Sequence, residues 1–273
     1  MEKNIIDMLL EKALYVRKET LKLHLLSPET RIASSLSAIE IYTVLYYGGI
    51  LKYDSSDPEW QGRDRLIVSK GHGAISLYPI FADLKFFHKN ELGRIGQPGA
   101  LLKAIPDCLI PGFESINGAL GNGLGEGCGI SLALKAKKLA AKVFVISGDG
   151  ELNEGSTWES VMFAGHHKLN NLNLIIDSNK LSMLGYCRKI LDLEPLEDKF
   201  GVFGWQVDTA DGHDIQNLFM KLRQMKDSTN NKPKVLIANT IKGKGIPELE
   251  KDPLCHIRSL SADRVRHILK TLK

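Results

Sequence analysis

Residues 142–150 read KVFVISGDG, and residues 172–179 read LNLIIDSN. Each stretch begins with a short run of mostly β-branched apolar residues and ends in residues that favour turns, which is typical of a buried parallel strand. The pattern between them predicts a helix from about residue 155 to residue 168, so the whole segment predicts a βαβ unit. Open α/β sheets bind ligands at the carboxyl ends of their strands, where Asp149 and Asn179 are expected to lie.

These two side chains indicate a particular ligand. A carboxylate oxygen of Asp149, an amide oxygen of Asn179 and a nearby backbone carbonyl suit a hard cation such as Mg²⁺, which takes few protein oxygens and fills its shell with water and substrate phosphates. The expected site is therefore one for a metal-bridged diphosphate. Two turns that merely end strands would use the same residue types, so the residues alone leave both interpretations open.

The rest of the chain predicts the same α/β class, with a mostly parallel sheet and helices on both faces. Further strands are expected at 65–68, 205–207 and 234–238. Further helices are expected at 3–26, 37–47, 73–87 and 215–225. Another helix is expected to begin at a glycine-rich turn at 117–123 and to end at about residue 141. Residues 181–200 are expected to be irregular. No repeat or low-complexity linker interrupts the pattern, so residues 1–273 are predicted to form a single domain.

Composition excludes several other classes of protein. The chain has 43% hydrophobic residues and a net charge of +4 from 36 basic and 32 acidic residues, and no basic stripe interleaved with aromatics indicates nucleic-acid binding. Four widely spaced cysteines indicate reduced thiols rather than a disulfide framework or a zinc site. No signal peptide and no apolar run of about 20 residues is apparent, so we expect a soluble, cytoplasmic protein with no membrane association.

Four motifs, taken together, resemble the transketolase family. The first motif has two parts, GDGELNEGSTWES at 148–160 and NKLSMLG at 179–185. The other three are SKGHG at 69–73, NGALGNG at 117–123 and TIKGKG at 240–245. The resemblance covers essentially the whole chain and is closest to the N-terminal, diphosphate-binding half of a transketolase made as a separate subunit. It implies the thiamine diphosphate-binding (PP) fold, with thiamine diphosphate and Mg²⁺ as cofactors.

The resemblance also implies roles for individual residues. The implied metal ligands are Asp149, Asn179 and Leu181. The implied cofactor-binding residues are His72, Gly118, Leu120, Gly148, Gly150, Glu151, Asn179, Leu181 and His256. The candidate catalytic residues are His72, Glu154 and Arg31. In the family, the histidines contact the diphosphate, and the glutamate that Glu154 matches supports the metal site and links paired active centres. From the residues alone, Glu154 at a helix start is equally explained by the helix dipole.

Two departures from the family pattern concern the substrate. Arg31 stands where the family has a substrate-handling histidine, and Ile105 replaces a second one. The cofactor signature is intact, so the expected substrate differs from the usual pair of ketose phosphates. Arg31 could bind a carboxylate or a phosphate in a bidentate manner through its planar guanidinium group, or it could face solvent.

The implied reaction moves a two-carbon ketol or acyl unit from a ketose or 2-oxo acid donor to an aldehyde or ketone acceptor. Because the family glutamate that activates the cofactor lies in a second, pyrimidine-binding domain, we expect an α2β2 assembly with a C-terminal partner subunit, active only when both subunits are present. Two alternatives stay open. One is an α-like subunit of a 2-oxo acid dehydrogenase or decarboxylase, and the other is a non-catalytic paralogue.

Overall fold

A computed structural model describes residues 2–115 and 118–272. At its centre is a sheet of five parallel strands in the order β1-β2-β3-β5-β4. The strands are β1 (Arg65–Val68), β2 (Val143–Gly148), β3 (Leu172–Ser178), β4 (Gln206–Asp211) and β5 (Lys234–Asn239). This parallel α/β architecture confirms the predicted fold class.

The described residues form eleven α-helices and four short 3-10 helices. The α-helices are α1 (Glu2–Leu26), α2 (Ile32–Leu36), α3 (Ile39–Tyr47), α4 (Leu77–Asp83), α5 (Gly123–Ala136), α6 (Gly155–His166), α7 (Cys187–Ile190), α8 (Leu196–Val202), α9 (Ile215–Asp227), α10 (Pro247–Glu250) and α11 (Ala262–Thr271). The 3-10 helices are Gly71–Gly73, Lys89–Arg94, Asp149–Asn153 and Cys255–Ile257.

Alternation along the strands creates a core on each side of the sheet, because successive strand residues point to opposite faces. On β2, Phe144 and Ile146 pack into the core that also contains residues of α1, α3 and α9. Val143 and Val145 pack on the other face with residues of α5, α6 and α8. Gly127 lets α5 approach this face, since a Cβ there would lie 2.6 Å from Val145 Cγ2. Both faces of the sheet are therefore buried, as parallel strands require.

The helix boundaries differ from the predictions in three places, one of which is the helix expected to reach about residue 141, since α5 ends at Ala136. The helix expected at 37–47 corresponds to α3, which begins two residues later, and α2 was not predicted; Ser37 lies in the turn between the two helices, where its hydroxyl donates to Asp177 Oδ2 at 2.6 Å. The helix expected at 73–87 is confined to Leu77–Asp83, because Lys85 adopts a left-handed φ of 67° that ends it. The stretch expected to be irregular contains the short helices α7 and α8.

Within the described residues, none of the helices combines the length and the apolar composition that crossing a bilayer requires. The four cysteines, Cys108, Cys128, Cys187 and Cys255, are all free thiols. Since every strand runs in the same direction, the loops that follow β1, β2, β3 and β5 all leave from one edge of the sheet. That edge carries the motifs that the sequence singled out.

Candidate active site

A cavity of about 330 Å³ opens at this carboxyl edge, between the loops that follow β1, β2, β3 and β5. It brings together nine of the twelve site residues predicted from the sequence. These nine are His72, Leu120, Gly148, Asp149, Gly150, Glu151, Asn179, Leu181 and His256. The remaining three, Arg31, Gly118 and Glu154, do not line it.

Asp149 provides the buried carboxylate at one end of the cavity. Its Oδ1 accepts a hydrogen bond from the Gly150 N–H at 2.9 Å, and its Oδ2 accepts one from the Lys180 N–H. The residue is 7% exposed and forms no ion pair within residues 2–115 and 118–272. Burial, with a contribution from the nearby Asp177, raises the pKa of Asp149 to about 6. A buried carboxylate without a cationic partner is unfavourable, and a bound cation would relieve it.

Two further oxygens complete a plausible ligand set for that cation. The Asn179 Oδ1 accepts from the Leu181 N–H at 3.2 Å, so the two residues hold each other in place. The Leu181 carbonyl faces the same region and accepts from Lys242 Nζ at 2.8 Å. One carboxylate, one amide and one carbonyl are hard oxygen donors that fit Mg²⁺. In the part of the chain that the structure describes, no group of three or more His, Cys, Asp or Glu residues forms an alternative metal site.

Two histidines, His72 and His256, line the cavity. The rings of His72 and His256 pack edge to face with centroids 4.9 Å apart, and Ser34 Oγ lies 3.3 Å from His256 Nδ1. Burial and the nearby Lys70 lower the pKa of His72 to about 3. Burial and Lys242 lower the pKa of His256 to about 4. Both imidazoles are therefore uncharged at neutral pH and act as hydrogen-bonding groups rather than as cations.

Beneath the histidines is a buried ion pair that the sequence did not reveal. Lys70 Nζ bonds to Asp177 Oδ2, which also accepts from Ser37, while Thr240 donates to Asp177 Oδ1. Burial alone would raise the pKa of Asp177, but the Lys70 ammonium and these hydrogen bonds outweigh it and hold the pKa below its usual value. The pair fixes the loop after β1 against the ends of β3 and β5.

Glu151 organises the glycine-rich turn from inside the protein. Its carboxylate accepts from Ser69 Oγ, from the Gly121 N–H at 2.7 Å and from Ser147 Oγ at 2.9 Å. Ser69 Oγ in turn accepts from the Gly123 N–H at 3.0 Å, and a Cβ on Gly123 would lie 2.5 Å from Ser69 Oγ. Because the protein satisfies this carboxylate, any contact of Glu151 with a ligand is expected to involve its backbone.

The other three predicted residues lie around the cavity. Arg31 is exposed at the N-cap of α2, three residues before Ser34, which lines the cavity. Glu154 is exposed at the N-cap of α6, and its side chain packs beside Gly121. Gly118 is exposed next to Asn117, the first residue of its motif, which lies outside the described residues. Their predicted roles stay predictions.

A second cavity of about 510 Å³ lies on the other side of Asp149, lined mainly by residues 186–196. It contains Cys187, whose thiol has a pKa that burial and Asp149 raise to about 12. The larger cavity therefore has an unreactive thiol and none of the histidines described above. The groups that could bind a cation and a diphosphate therefore line the smaller cavity.

Comparison with known proteins agrees with this arrangement. A family model for the thiamine diphosphate binding domain of transketolase matches residues 32–272. The chain is 39% identical over 215 residues to the 6-deoxy-6-sulfo-D-fructose transketolase subunit SqwG of Clostridium sp. (strain MSTE9), covering 78% of each protein. It is 37% identical over 269 residues to an apulose-4-phosphate transketolase subunit of Actinobacillus succinogenes, covering 98% of this chain and 96% of that subunit.

The structure is similar to that of the transketolase from Campylobacter jejuni, with a TM-score of 0.80 and 29% identity over 94% of this chain. The match covers 42% of the Campylobacter chain, and the match to human transketolase covers 38% of that protein. The chain therefore belongs to the transketolase family and carries its thiamine diphosphate-binding domain. This confirms the family and the fold that the sequence motifs predicted.

Proposed function

We propose that this chain is the N-terminal subunit of a transketolase-like enzyme. The enzyme would transfer a two-carbon ketol or acyl unit from a ketose or 2-oxo acid donor to an aldehyde or ketone acceptor, using thiamine diphosphate and Mg²⁺. The observation that carries the proposal is the cavity itself, in which the oxygens of Asp149, Asn179 and Leu181 lie beside His72 and His256 in a thiamine diphosphate-binding domain.

Each group of residues has a separate task in this proposal. Asp149, Asn179 and the Leu181 carbonyl would hold Mg²⁺, and the neutral His72 and His256 would donate hydrogen bonds to the diphosphate. Thiamine diphosphate, when bound, supplies the chemistry that cleaves a carbon–carbon bond beside a ketone. The protein positions the cofactor and the substrate and shields them from water, and these are the contributions expected of a cofactor-dependent enzyme.

The proposal includes a partner subunit. The relatives in Clostridium and Actinobacillus are named as subunits and match over most of their length, whereas single-chain transketolases match over less than half of theirs. Exposed apolar side chains, Met183 (52%) and Leu184 (73%) in the candidate site and Leu191 (53%) in the larger cavity, are consistent with a surface that another protein covers. We infer a C-terminal subunit with the pyrimidine-binding domain, a cytoplasmic α2β2 assembly, and Glu154 at the contact between active centres.

The presence of Arg31 favours the hypothesis that the substrate differs from the usual pair of ketose phosphates. The guanidinium is exposed and has no side-chain hydrogen bond or ion pair with any residue that the structure describes, although it is one helical turn from Ser34 in the cavity wall. Ile105, at the second altered position, is 42% exposed and does not line the cavity. The relatives are named for sulfonated and phosphorylated ketoses, so anionic ketoses are the first donors to test.

The deciding experiment is a calorimetric titration of thiamine diphosphate, with and without Mg²⁺, into this chain co-expressed with the subunit encoded beside it. Mg²⁺-dependent binding that Asp149→Ala abolishes is the expected result, followed by ketol transfer in a screen of donors. The absence of binding in the wild-type complex would refute the proposal in favour of a non-catalytic paralogue. Binding accompanied by 2-oxo acid decarboxylation without ketol transfer would favour the dehydrogenase-like alternative.

A further inference from the structure

The loop that follows β5 forms part of the cavity wall and supports another part of it. We call residues 240–245 the β5 loop. Lys242 of this loop lines the cavity, and the Gly243 N–H donates to the Ala33 carbonyl at 3.0 Å. Ala33 lies in α2 directly before Ser34, which also lines the cavity. The position of the β5 loop therefore determines how α2 lies against the cavity.

A histidine outside the cavity wall holds the start of this loop. His213 lies in the loop after β4, and its Nε2 accepts a hydrogen bond from the Ile241 N–H at 2.8 Å. Because a backbone N–H can only donate, Nε2 carries no proton, and the ring proton is on Nδ1. Nδ1 lies 3.2 Å from Glu40 Oε2, to which it donates. His213 thus connects α3 to the β5 loop as a neutral imidazole in one defined tautomer.

Arg17 holds the other end of the β5 loop. Its guanidinium pairs with Glu40 Oε1 and donates to the Lys244 carbonyl at 2.5 Å. Gly245 leaves room for it, since a Cβ there would lie 3.1 Å from Arg17 Cδ. Burial alone would raise the pKa of Glu40, but His213 and Arg17 outweigh it and hold that pKa below its usual value. One buried carboxylate therefore orients the two side chains that hold both ends of the loop.

We propose that His213 is a positioning residue for the candidate active site. By holding the Ile241 N–H, it keeps the β5 loop against α2 and so keeps Ser34 beside His256, whose Nδ1 lies 3.3 Å from Ser34 Oγ. His213 does not line the cavity, so it acts through the loop and not by contact with a ligand. This inference rests on the proposed function, because it takes the cavity to be the cofactor site.

Two substitutions separate the two hydrogen bonds of the imidazole. His213→Asn retains an amide donor for Glu40 in the place of Nδ1, but its side chain is too short to accept from the Ile241 N–H. His213→Gln places an amide oxygen near the position of Nε2, where it can accept from Ile241. Asn217→Ala is the matched control, because Asn217 Oδ1 accepts from the Asp211 N–H at 3.1 Å, beside the same loop after β4. In the part of the chain that the structure describes, no side-chain hydrogen bond of Asn217 reaches the β5 loop.

Hydrogen exchange followed by mass spectrometry, on the ligand-free two-subunit complex, measures how firmly the loop is held. Calorimetry with thiamine diphosphate and Mg²⁺ on the same complex measures the effect on the cavity. For His213→Asn, we expect exchange in peptides that cover Ile241 and Gly243 to rise about tenfold and cofactor affinity to fall about tenfold, the effect of losing one hydrogen bond. His213→Gln and Asn217→Ala should remain within about threefold of the wild type in both measurements.

The outcomes separate this inference from the proposed function. Unchanged exchange of the β5 loop in His213→Asn would overturn the inference, as would faster exchange with cofactor affinity within about twofold of the wild type. An equal loss of affinity in Asn217→Ala would also overturn it, because that result indicates a general loosening of this end of the sheet. His213→Ala replaces the asparagine variant if circular dichroism shows that the latter is unfolded. If the wild-type complex does not bind thiamine diphosphate, the proposed function fails, and exchange in the β5 loop and α2 still decides whether His213 holds them.

Discussion

Replacing Lys70 with methionine is expected to lower the free energy of unfolding by about 3 kcal/mol at pH 7. The side chain is buried against Asp177, which is fully buried and is bonded to Ser37 and Thr240 as well. Methionine is apolar and similar in length to lysine, so it fills the space without leaving a large cavity. The substitution therefore removes one charge, together with the longer hydrogen bond that Lys70 Nζ donates to the Ser34 carbonyl at 3.3 Å.

The magnitude follows from what remains around Asp177. Removing one partner of a buried ion pair typically destabilises a protein by about 3–5 kcal/mol, because the other charge stays buried without compensation. Here the two hydroxyl hydrogen bonds persist, and hydrogen bonds to a charged group each contribute roughly 1.5–3 kcal/mol. The expected loss is therefore near the lower limit of that range. For a chain of this size, it corresponds to a decrease in Tm of roughly 6–12 °C.

The effect must also depend on pH in a defined direction. In the wild type, the pKa of Asp177 is below its usual value, so its stabilising contribution is present at neutral pH and is lost as the pH falls through that lowered pKa. Without Lys70, burial raises the pKa of Asp177, and the folded protein takes up a proton more readily than the unfolded chain. The deficit of Lys70→Met relative to wild type should therefore shrink as the pH falls towards about 4.

Urea unfolding followed by circular dichroism, at several pH values, measures this deficit. The double variant Lys70→Met/Asp177→Asn, which removes both charges, should recover at least half of the lost stability. Lys22→Met, which breaks a solvent-exposed pair with Glu19, should change stability by less than about 1 kcal/mol. A loss below about 1 kcal/mol for Lys70→Met, or a deficit that does not change with pH, would refute the reasoning.

Three further predictions test other parts of the molecule. Gly123→Ala should destabilise the protein by about 1–3 kcal/mol in urea unfolding, because its Cβ would lie 2.5 Å from Ser69 Cβ and Oγ. His24→Gln should flatten the fall in stability below about pH 6.5, since burial lowers the pKa of His24 and its neutral Nε2 accepts from the Leu260 N–H at 3.3 Å. Arg31→His should raise the KM for an anionic ketose donor about tenfold in steady-state kinetics, while thiamine diphosphate affinity stays within about twofold.

Each of these predictions has a control. Gly129→Ala lies on the same helix with no atom within 4 Å of the added Cβ, so it should stabilise the protein by about 0.5–1 kcal/mol, because alanine has the higher helix propensity. His267→Gln, on the exposed side of α11, should leave the pH profile unchanged. For Arg31→His, a ketose without phosphate or sulfonate is the control substrate. An equal rise in KM for that uncharged donor would contradict a role for Arg31 in binding an anion.

The sequence was sufficient for the sheet because the strand signal is local. The buried strands β2 and β3 each contain consecutive apolar residues and end in turn formers, and both were placed to within two residues. The C-terminal helix α11 was not predicted, although its signal is present in the sequence. Ser261 caps the helix by accepting from the Arg264 N–H at 3.3 Å, and Val265 and Ile268 are buried at helical spacing. The helical spacing of these apolar residues after a capping serine could have been recognised in the sequence.

Other features depend on contacts between distant parts of the chain. The helix predicted from residue 37 begins at Ile39, because Ser37 lies in a turn, where its hydroxyl donates to Asp177, 140 positions away. Helix propensity around Ser37 contains no information on that contact, so it could not locate the start of α3. In the same way, Glu151 and Ser69 are 82 positions apart, and the structure was needed to show that this carboxylate fixes the glycine-rich turn.

The two lysines of the cavity illustrate what motif resemblance leaves undetermined. Lys70 and Lys242 are both in glycine-rich loops, and both belong to motifs that identified the family. Residue type and spacing give no reason to treat them differently. The structure separates them by their partners, because Lys70 is neutralised by Asp177 while Lys242 bonds to a single carbonyl. Removing the first leaves a buried carboxylate uncompensated and should destabilise the fold. Removing the second breaks no ion pair among the described residues, so it should destabilise the ligand-free protein less than removing the first.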